Sequence, residues 1–348
     1  MTEVLDDGPS HGFPQGFLTK VLEEPSCRTS VKNPVYTRKV LPSVSEPIVI
    51  TGAAGQLGQT LVEALAEEWP TRGLTRSDLD VTDGRQVLRA MTDLRPAAII
   101  NCSAYNAVDR AEDEPREAFA VNALAVANLA RAAAAADVPF VHYSTDFVFD
   151  GEADEPYTEE STPRPGGVYA ASKLVGEWFA RDAPTHYVLR VESLFGGVYK
   201  LRSSVDRIVD ALEASQPAPV FVDRIVSPSY VFDVAAATRH LLRSRAPVGL
   251  YHCVNRGAGT WMALGQEIVR QLQVTSTLRP IRMAELSLRA PRPRYCALSN
   301  EKLRLAGFEM PTWQSALERY LAPRLAARMT GLRQGSGGSP KPPATAEG

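Results

Sequence analysis

Tyr169 and Lys173 stand four residues apart in Tyr169-Ala-Ala-Ser-Lys173, a spacing that stacks two side chains on one face of a helix. A lysine ammonium beside a phenol favours the phenolate. The expectation is therefore a Tyr169 hydroxyl drawn down from its usual pKa of about 10 and able to exchange a proton near neutrality. Thr145, at the end of the apolar run closing with Ser144-Thr145-Asp146, can add a hydroxyl to the same oxygen. Taken alone, Tyr-x-x-x-Lys describes an exposed helical pair more often than a reaction centre.

The second chemical feature lies upstream. Gly52, Gly55 and Gly58 follow the strand-like run 48–50 and precede a helical pattern over 60–68. A glycine directly after a buried strand permits a tight turn, the next lets backbone approach a pyrophosphate, and the third lets helix and strand pack closely. The helix N-terminus then offers unpaired N–H groups to the anion. In that context the pattern reads as a dinucleotide site rather than an ordinary turn. The second strand runs into Gly73-Leu-Thr-Arg76-Ser77. A cation there suits the 2′-phosphate of NADPH, so Arg76 or Arg72 favours NADPH over NADH; the alternative is a solvated arginine, with Asp78 or Asp80 holding a ribose hydroxyl.

These groups need a scaffold. Apolar runs at 48–50, 72–75, 97–102, 140–144 and 187–190 alternate with helical patterns at 60–68, 84–94, 116–136 and around Tyr169. Continuous apolar strands separated by helices predict an α/β fold, a Rossmann-type doubly wound parallel sheet covered on both faces. Beyond Leu194 the rhythm loosens: helices are expected at 205–214, 231–243, 261–271, 300–306 and 312–327, with extended segments at 220–222 and 249–254. The expected organisation is an irregular N-terminal extension over 1–46, an NAD(P)-binding domain over 47–190, a smaller, mainly substrate-binding C-terminal lobe over 191–330, and a disordered tail over 331–348.

Composition narrows the partners. The 348 residues are 44% hydrophobic, enough for a sizeable core, and carry 38 basic against 40 acidic side chains, a net charge of −2. No basic field recommends nucleic acid or an anionic membrane. The N-terminus begins acidic and lacks a secretory pattern, and no apolar run is expected to reach the roughly 20 residues of a membrane span. Cys27, Cys102, Cys253 and Cys296 show no CxxC or histidine spacing that suggests a metal, and read as buried free thiols of a cytoplasmic protein rather than disulfides. A homodimer stands as the candidate assembly.

Several ordered landmarks go further: Gly55-Gln56-Leu57-Gly58, Asp80-Val-Thr-Asp83, the stretch from Asn101 through Tyr105, Asn106 and Val108 to Glu112, Val121-Asn122-Ala123, Ser144 to Gly151, Tyr169 to Glu177, Ser227 to Tyr230, and Arg292-Pro293. Over about 47–322 the chain resembles the extended short-chain dehydrogenase/reductases, and within them the dTDP-4-dehydrorhamnose reductases. The resemblance implies Thr145, Tyr169 and Lys173 as the catalytic set, with hydride passing from the nicotinamide to C4 of a nucleotide-activated 4-keto-6-deoxysugar and Tyr169 giving the proton. It implies cofactor contacts at Gly52, Gly55, Gln56, Leu57, Gly58, Arg76, Asp80, Val81, Ser103, Ala104, Tyr105, Tyr169 and Lys173. Asn122 joins them in supporting the strand ends, a purely structural role being its alternative. Substrate contacts are implied at Asn106, Val108, Asp146, Arg224 and Arg292.

Two departures bear on specificity. Where these reductases often read Arg-Thr-Ser-Trp followed by an Asn-Phe pair, this chain has Arg190-Val-Glu-Ser-Leu194 and Lys200-Leu-Arg-Ser-Ser204, in the region expected to face the sugar. Phe147 replaces the usual Tyr of the strand-end motif, read as a packing change. The altered segment is similar to that of methionine adenosyltransferase regulatory beta subunits, so a non-catalytic NADP-binding subunit is the rival reading. An epimerase of the same superfamily, retaining its NAD, is a third.

Overall fold

Apolar and β-branched residues between Pro47 and the glycine turn form β1 (Ile48–Thr51), buried along its whole length. The computed structural model describes residues 45–197, 203–275 and 277–335. The extension read over 1–46 therefore lies, but for Ser45 and Glu46, outside the described residues. After β1 come α1 (Gln56–Ala66), β2 (Thr71–Leu74), α2 (Gly84–Leu94), β3 (Ala98–Asn101), α3 (Val108–Ala111), α4 (Pro115–Phe119), a π-helical turn (Ala120–Leu124), α5 (Ala125–Ala136), β4 (Phe140–Thr145), α6 (Val168–Ala180) and β5 (His186–Val191). The remainder supplies β6 (Leu194–Phe195), α7 (Ser204–Glu213), β7 (Ala218–Phe221), β8 (Ile225–Val226), β9 (Ser229–Tyr230), α8 (Val231–Ser244), β10 (Gly249–His252), β11 (Gly259–Thr260), α9 (Trp261–Leu272), β12 (Leu278–Ile281), α10 (Glu301–Leu305) and α11 (Trp313–Gly335).

Six strands make one parallel sheet in the order β2-β1-β3-β4-β5-β10. Side chains alternate between its faces. Ile48, Ile50, Ala98, Ile100, Val141, Tyr143, Tyr187 and Leu189 join one core with Leu57, Leu61 and Leu65 of α1 and Val234 and Leu241 of α8. Val49, Ile99, Phe140 and Val188 join the other with Val87 and Met91 of α2 and Val126 and Leu129 of α5. Both faces are covered, so the central strands β1 and β3 are buried along their whole length, and the fold is the doubly wound Rossmann type. Winding reverses between β1 and β3, and the crevice beyond their carboxyl ends is where such sheets hold ligands.

Three differences from the sequence expectations have physical reasons. Helix α1 starts at Gln56, not near 60, because the stripe Leu57, Leu61, Leu65 begins inside the glycine turn, where the glycines hide its period. The helical run Pro115–Ala136 is 22 residues long with a mean hydropathy of 1.4, enough by length and composition for a membrane span. Its alanines raise its hydropathy and let it pack against α2, α6 and the sheet. Elements α8 and β10 belong to the sheet layer although they follow residue 190, since β10 pairs with β5 along its full length.

A further core, from Phe195, Val205, Val209, Val220, Trp261, Ile268, Trp313 and Leu317, holds α7, β7, α9 and α11 together. Strand β12, absent from the periodicity, pairs with β7, and α11 runs to Gly335, into the stretch read as tail. Residues 336–348 lie outside the described set. Cys102, Cys253 and Cys296 are free thiols; Cys27 is outside the described residues.

Candidate active site

The glycine turn is held against two strands. Gly52 has φ +67°, and a Cβ there would lie 2.5 Å from the Cys102 carbonyl carbon at the end of β3. At Gly58 a Cβ would lie 2.4 Å from the Gly52 carbonyl oxygen. The turn therefore closes only with glycine at both positions. Gly55 caps α1 in an extended conformation with no side chain over the helix end, leaving the first-turn N–H groups for an anion. Ala53 N–H donates to the Leu74 carbonyl at 3.1 Å, which sets the end of β2, and the exposed Arg76 after it, beside the turn. Asp78 is engaged by the Thr75 N–H and hydroxyl at 2.8 and 2.7 Å. Asp80 is engaged by the Thr82 N–H and hydroxyl at 2.9 and 2.7 Å. Val81 is buried at the same edge.

Tyr169 and Lys173 project from the first turns of α6 toward β4. Lys173 Nζ donates to the Tyr143 carbonyl at 2.6 Å, and burial lowers its pKa to about 8, with the charge of Glu177 opposing the shift. The expected lowering of Tyr169 is not what the structure has. Burial raises its pKa, the Asp146 charge adds to the rise, and the Thr145 hydrogen bond and Arg292 oppose it. The correction follows from dielectric: a phenol enclosed by protein loses more by desolvation than a nearby donor returns. The Tyr169 ring meets Phe147 edge to face, centroids 5.6 Å apart. The guanidiniums of Arg224 and Arg292 lie 5.4 and 5.7 Å from the centre of the Phe147 ring.

Around these groups lies a cavity of about 390 Å³. Its wall brings together Gly55, Gln56, Leu57 and Gly58 from the turn, Ser103, Ala104, Asn106 and Val108 after β3, Thr145, Asp146, Tyr169 and Lys173, and Arg224 from the other lobe. Gln56 Nε2 donates to the Gly196 carbonyl at 2.7 Å and ties the turn to the segment after β6.

Other predicted residues sit beside this cavity rather than on its wall. Tyr105 turns its hydroxyl to Glu114 at 2.5 Å. Asn122, in the π-helical turn, accepts from the Tyr105 N–H at 2.8 Å and donates to the Tyr105 carbonyl and the Ser172 hydroxyl. It thus pins the loop after β3 to the helix carrying Lys173. Arg292 pairs with Asp109 at 3.0 Å and lines a smaller recess of about 50 Å³ that also touches Tyr169.

Arg190 is a correction. Instead of facing a sugar, it is 2% exposed and grips Glu177 through Nε at 2.8 Å and Nη2 at 2.7 Å. Glu177 also accepts the Ser144 hydroxyl at 2.6 Å. This pair locks α6 to β4 and β5 directly behind the reacting groups. Its sequence signal was the stripe Tyr169, Lys173, Glu177, at steps of four on one helix face. Ser193, Leu194 and Ser204, from the two altered segments expected to face the sugar, do line the cavity, and Glu192 adjoins it; Trp261 lines it too, with no local pattern that could have found it. Residues 198–202, which include the first three of the altered segment 200–204, lie outside the described set.

A family model described as the RmlD substrate binding domain matches residues 46–325. A protein of Streptomyces griseus named dTDP-4-dehydrorhamnose reductase is 35% identical over 280 residues, 77% of this chain and 91% of its own length. A Streptomyces antibioticus protein named as a probable dTDP-4,6-dihydroxy-2-methyloxan-3-one 4-ketoreductase is 35% identical over 293 residues, 83% of this chain and 99% of its own. Among solved structures, the dTDP-4-dehydrorhamnose reductase of Bacillus anthracis str. Ames in complex with NADP superposes with a TM-score of 0.76 at 33% identity, covering 80% of this chain and 99% of that one.

Proposed function

The chain belongs to the family described as the RmlD substrate binding domain, and from that premise we propose that it is a nicotinamide-dependent reductase of a nucleotide-activated 4-keto-6-deoxysugar, of the dTDP-4-dehydrorhamnose reductase kind. The observation that carries the reading is the single cavity whose wall includes the phosphate turn, Thr145, Tyr169 and Lys173, and Arg224. Relatives named as reductases favour the enzyme over the regulatory-subunit reading.

A bound nicotinamide dinucleotide would supply the hydride. The turn from Gly52 to Gly58 and the N-terminus of α1 would hold its phosphates, and Lys173 its nicotinamide ribose. The raised pKa keeps Tyr169 protonated at neutral pH, the state in which it can donate to the oxygen that becomes the new hydroxyl. Thr145, whose hydroxyl donates to Asp146 Oδ1 at 2.9 Å, stands beside the same phenol and counters part of the rise in its pKa. Arg224 and Asp146 line the cavity, and the Arg224 guanidinium would suit a diphosphate or sugar oxygen of the substrate. The test is loss of NADPH absorbance with purified protein and a panel of dTDP-4-keto-6-deoxysugars; no oxidation with any of them would remove the reading.

NADPH is the proposed cofactor. Arg76 is exposed at the end of β2, and Asp78 and Asp80 beside it are each tied through one carboxylate oxygen to Thr75 and Thr82. One hydrogen bond to a charged group contributes ~1.5–3 kcal/mol, so Arg76→Ala should lower the preference for NADPH over NADH by about tenfold or more. Unchanged kcat/KM ratios for the two cofactors would exclude Arg76 as the discriminating group.

A further inference from the structure

Behind Thr145 lies a buried acid pair that the reaction as described does not use. Asp146 and Glu192 are 3% and 2% exposed, and an oxygen of each lies within 4.8 Å of the other and of the Cys296 Sγ. Asp146 Oδ1 accepts the Thr145 hydroxyl at 2.9 Å, and Glu192 Oε2 accepts the Ser227 N–H at 2.6 Å. The remaining oxygens, Asp146 Oδ2 and Glu192 Oε1, are buried without a hydrogen-bond partner. Arg224 faces them, its Nη2 3.8 Å from Asp146 Oδ2, and supplies the positive charge that a metal ion would otherwise bring. The other titratable groups turned toward the pair are the Cys296 thiol, kept protonated by burial, and Tyr169, with Arg292 behind it.

Two carboxylates against one guanidinium would leave a net negative charge on buried groups, which is costly. Like charges this close do not both ionise. A proton held between the two acids removes the excess charge and gives both orphan oxygens a partner, directly or through one water. We propose that Asp146 and Glu192 share one proton and thereby set, through the Thr145 hydroxyl, how readily Tyr169 releases its own, which makes Glu192 a positioning residue for the reduction. The proposal rests on the reading of the site given above.

The hydrogen-bond directions follow. While Asp146 is ionised, the Thr145 O–H points to it, and Thr145 can only accept from Tyr169, which favours the neutral phenol. When the shared proton sits on Asp146 Oδ2, the Oδ1 that Thr145 meets becomes a neutral and weaker acceptor, and the Thr145 O–H is released to turn to the phenolate left after proton transfer. The balance closes: one proton moves from Glu192 to Asp146, Thr145 keeps its hydrogen, and the Tyr169 proton ends on the new sugar hydroxyl. Burial and the neighbouring Asp146 charge raise the Glu192 carboxyl well above its ordinary range, and burial also raises Asp146. The pair therefore holds its proton at neutral pH and loses it as pH rises, after which Asp146 is fixed as an acceptor and reduction slows.

Glu192→Gln keeps the acceptor for Ser227 but cannot pass a proton. Its kcat should fall about tenfold, the loss of one charge-assisted hydrogen bond in the transition state, with KM for NADPH unchanged and the alkaline limb of the rate profile gone. A folded Glu192→Gln protein with the wild-type pH profile would overturn the proposal. Infrared spectroscopy of the full chain supplies a readout independent of turnover and of the folding of that variant. A protonated-carboxyl band at neutral pH should vanish on alkaline titration and persist in Glu159→Gln, the control for the other acid raised by burial. A wild-type protein without such a band overturns the proposal even if no sugar nucleotide is reduced, and a band in a protein that reduces none overturns only the functional reading.

Discussion

Tyr169→Phe should reduce the rate of NADPH oxidation by about 10²–10⁴-fold, the usual worth of a positioned proton donor, while leaving the protein folded. The phenol ring is buried and packs edge-on against Phe147, and phenylalanine keeps that ring and loses only the hydroxyl. Its neighbours Thr145 and Lys173 keep their bonds to Asp146 and the Tyr143 carbonyl, so neither becomes an unpaired buried group. The measurement is kcat with a sugar nucleotide the wild type reduces, beside a thermal melt. A variant within tenfold of wild type would show that the proton comes from elsewhere. Burial also defines the pH response. With its pKa raised, Tyr169 stays protonated through the neutral range, so its own ionisation should not limit reduction there.

The second large effect concerns stability. Arg190→Ala is expected to cost about 3–5 kcal/mol, because removing one partner of a buried ion pair leaves the other charge without compensation. Arg190 and Glu177 are each 2% exposed at the side chain, with Nη2 and Oε2 2.7 Å apart. After the substitution Glu177 would retain the Ser144 hydroxyl and little else. Urea unfolding monitors the loss, and the double variant Arg190→Met, Glu177→Leu should recover most of it, since both charges leave together. A guanidinium that recognised the sugar would behave differently, with KM for the sugar nucleotide rising and the unfolding midpoint unmoved. That pattern would contradict the structural role assigned to Arg190.

Much of this fold is written in short-range regularities. Apolar strands between helical periods specify a parallel sheet, and three glycines after the first strand specify a turn that a side chain would block, because steric exclusion acts within a few residues. The four-residue step places Tyr169 and Lys173 on one face without reference to the rest of the chain. Periodicity is a weaker guide where glycine or alanine stands at a packing position. For that reason α1 begins a turn earlier than its pattern, and Pro115–Ala136 passes as a membrane span although it is a packed helix.

What the sequence determined by itself is therefore which groups could meet a dinucleotide and a carbonyl, and on which elements they ride. Only the tertiary structure decided what surrounds them. It brings Glu192 to Asp146, Arg190 to Glu177 and Arg224 to the cavity wall, pairings between separate elements that no local spacing encodes. It also reverses the expected shift of Tyr169, since acidity depends on desolvation and on charges arriving from elsewhere in the fold. Residue types and spacing set the chemical inventory; the dielectric and the pairing that tune it come into existence when the chain closes on itself.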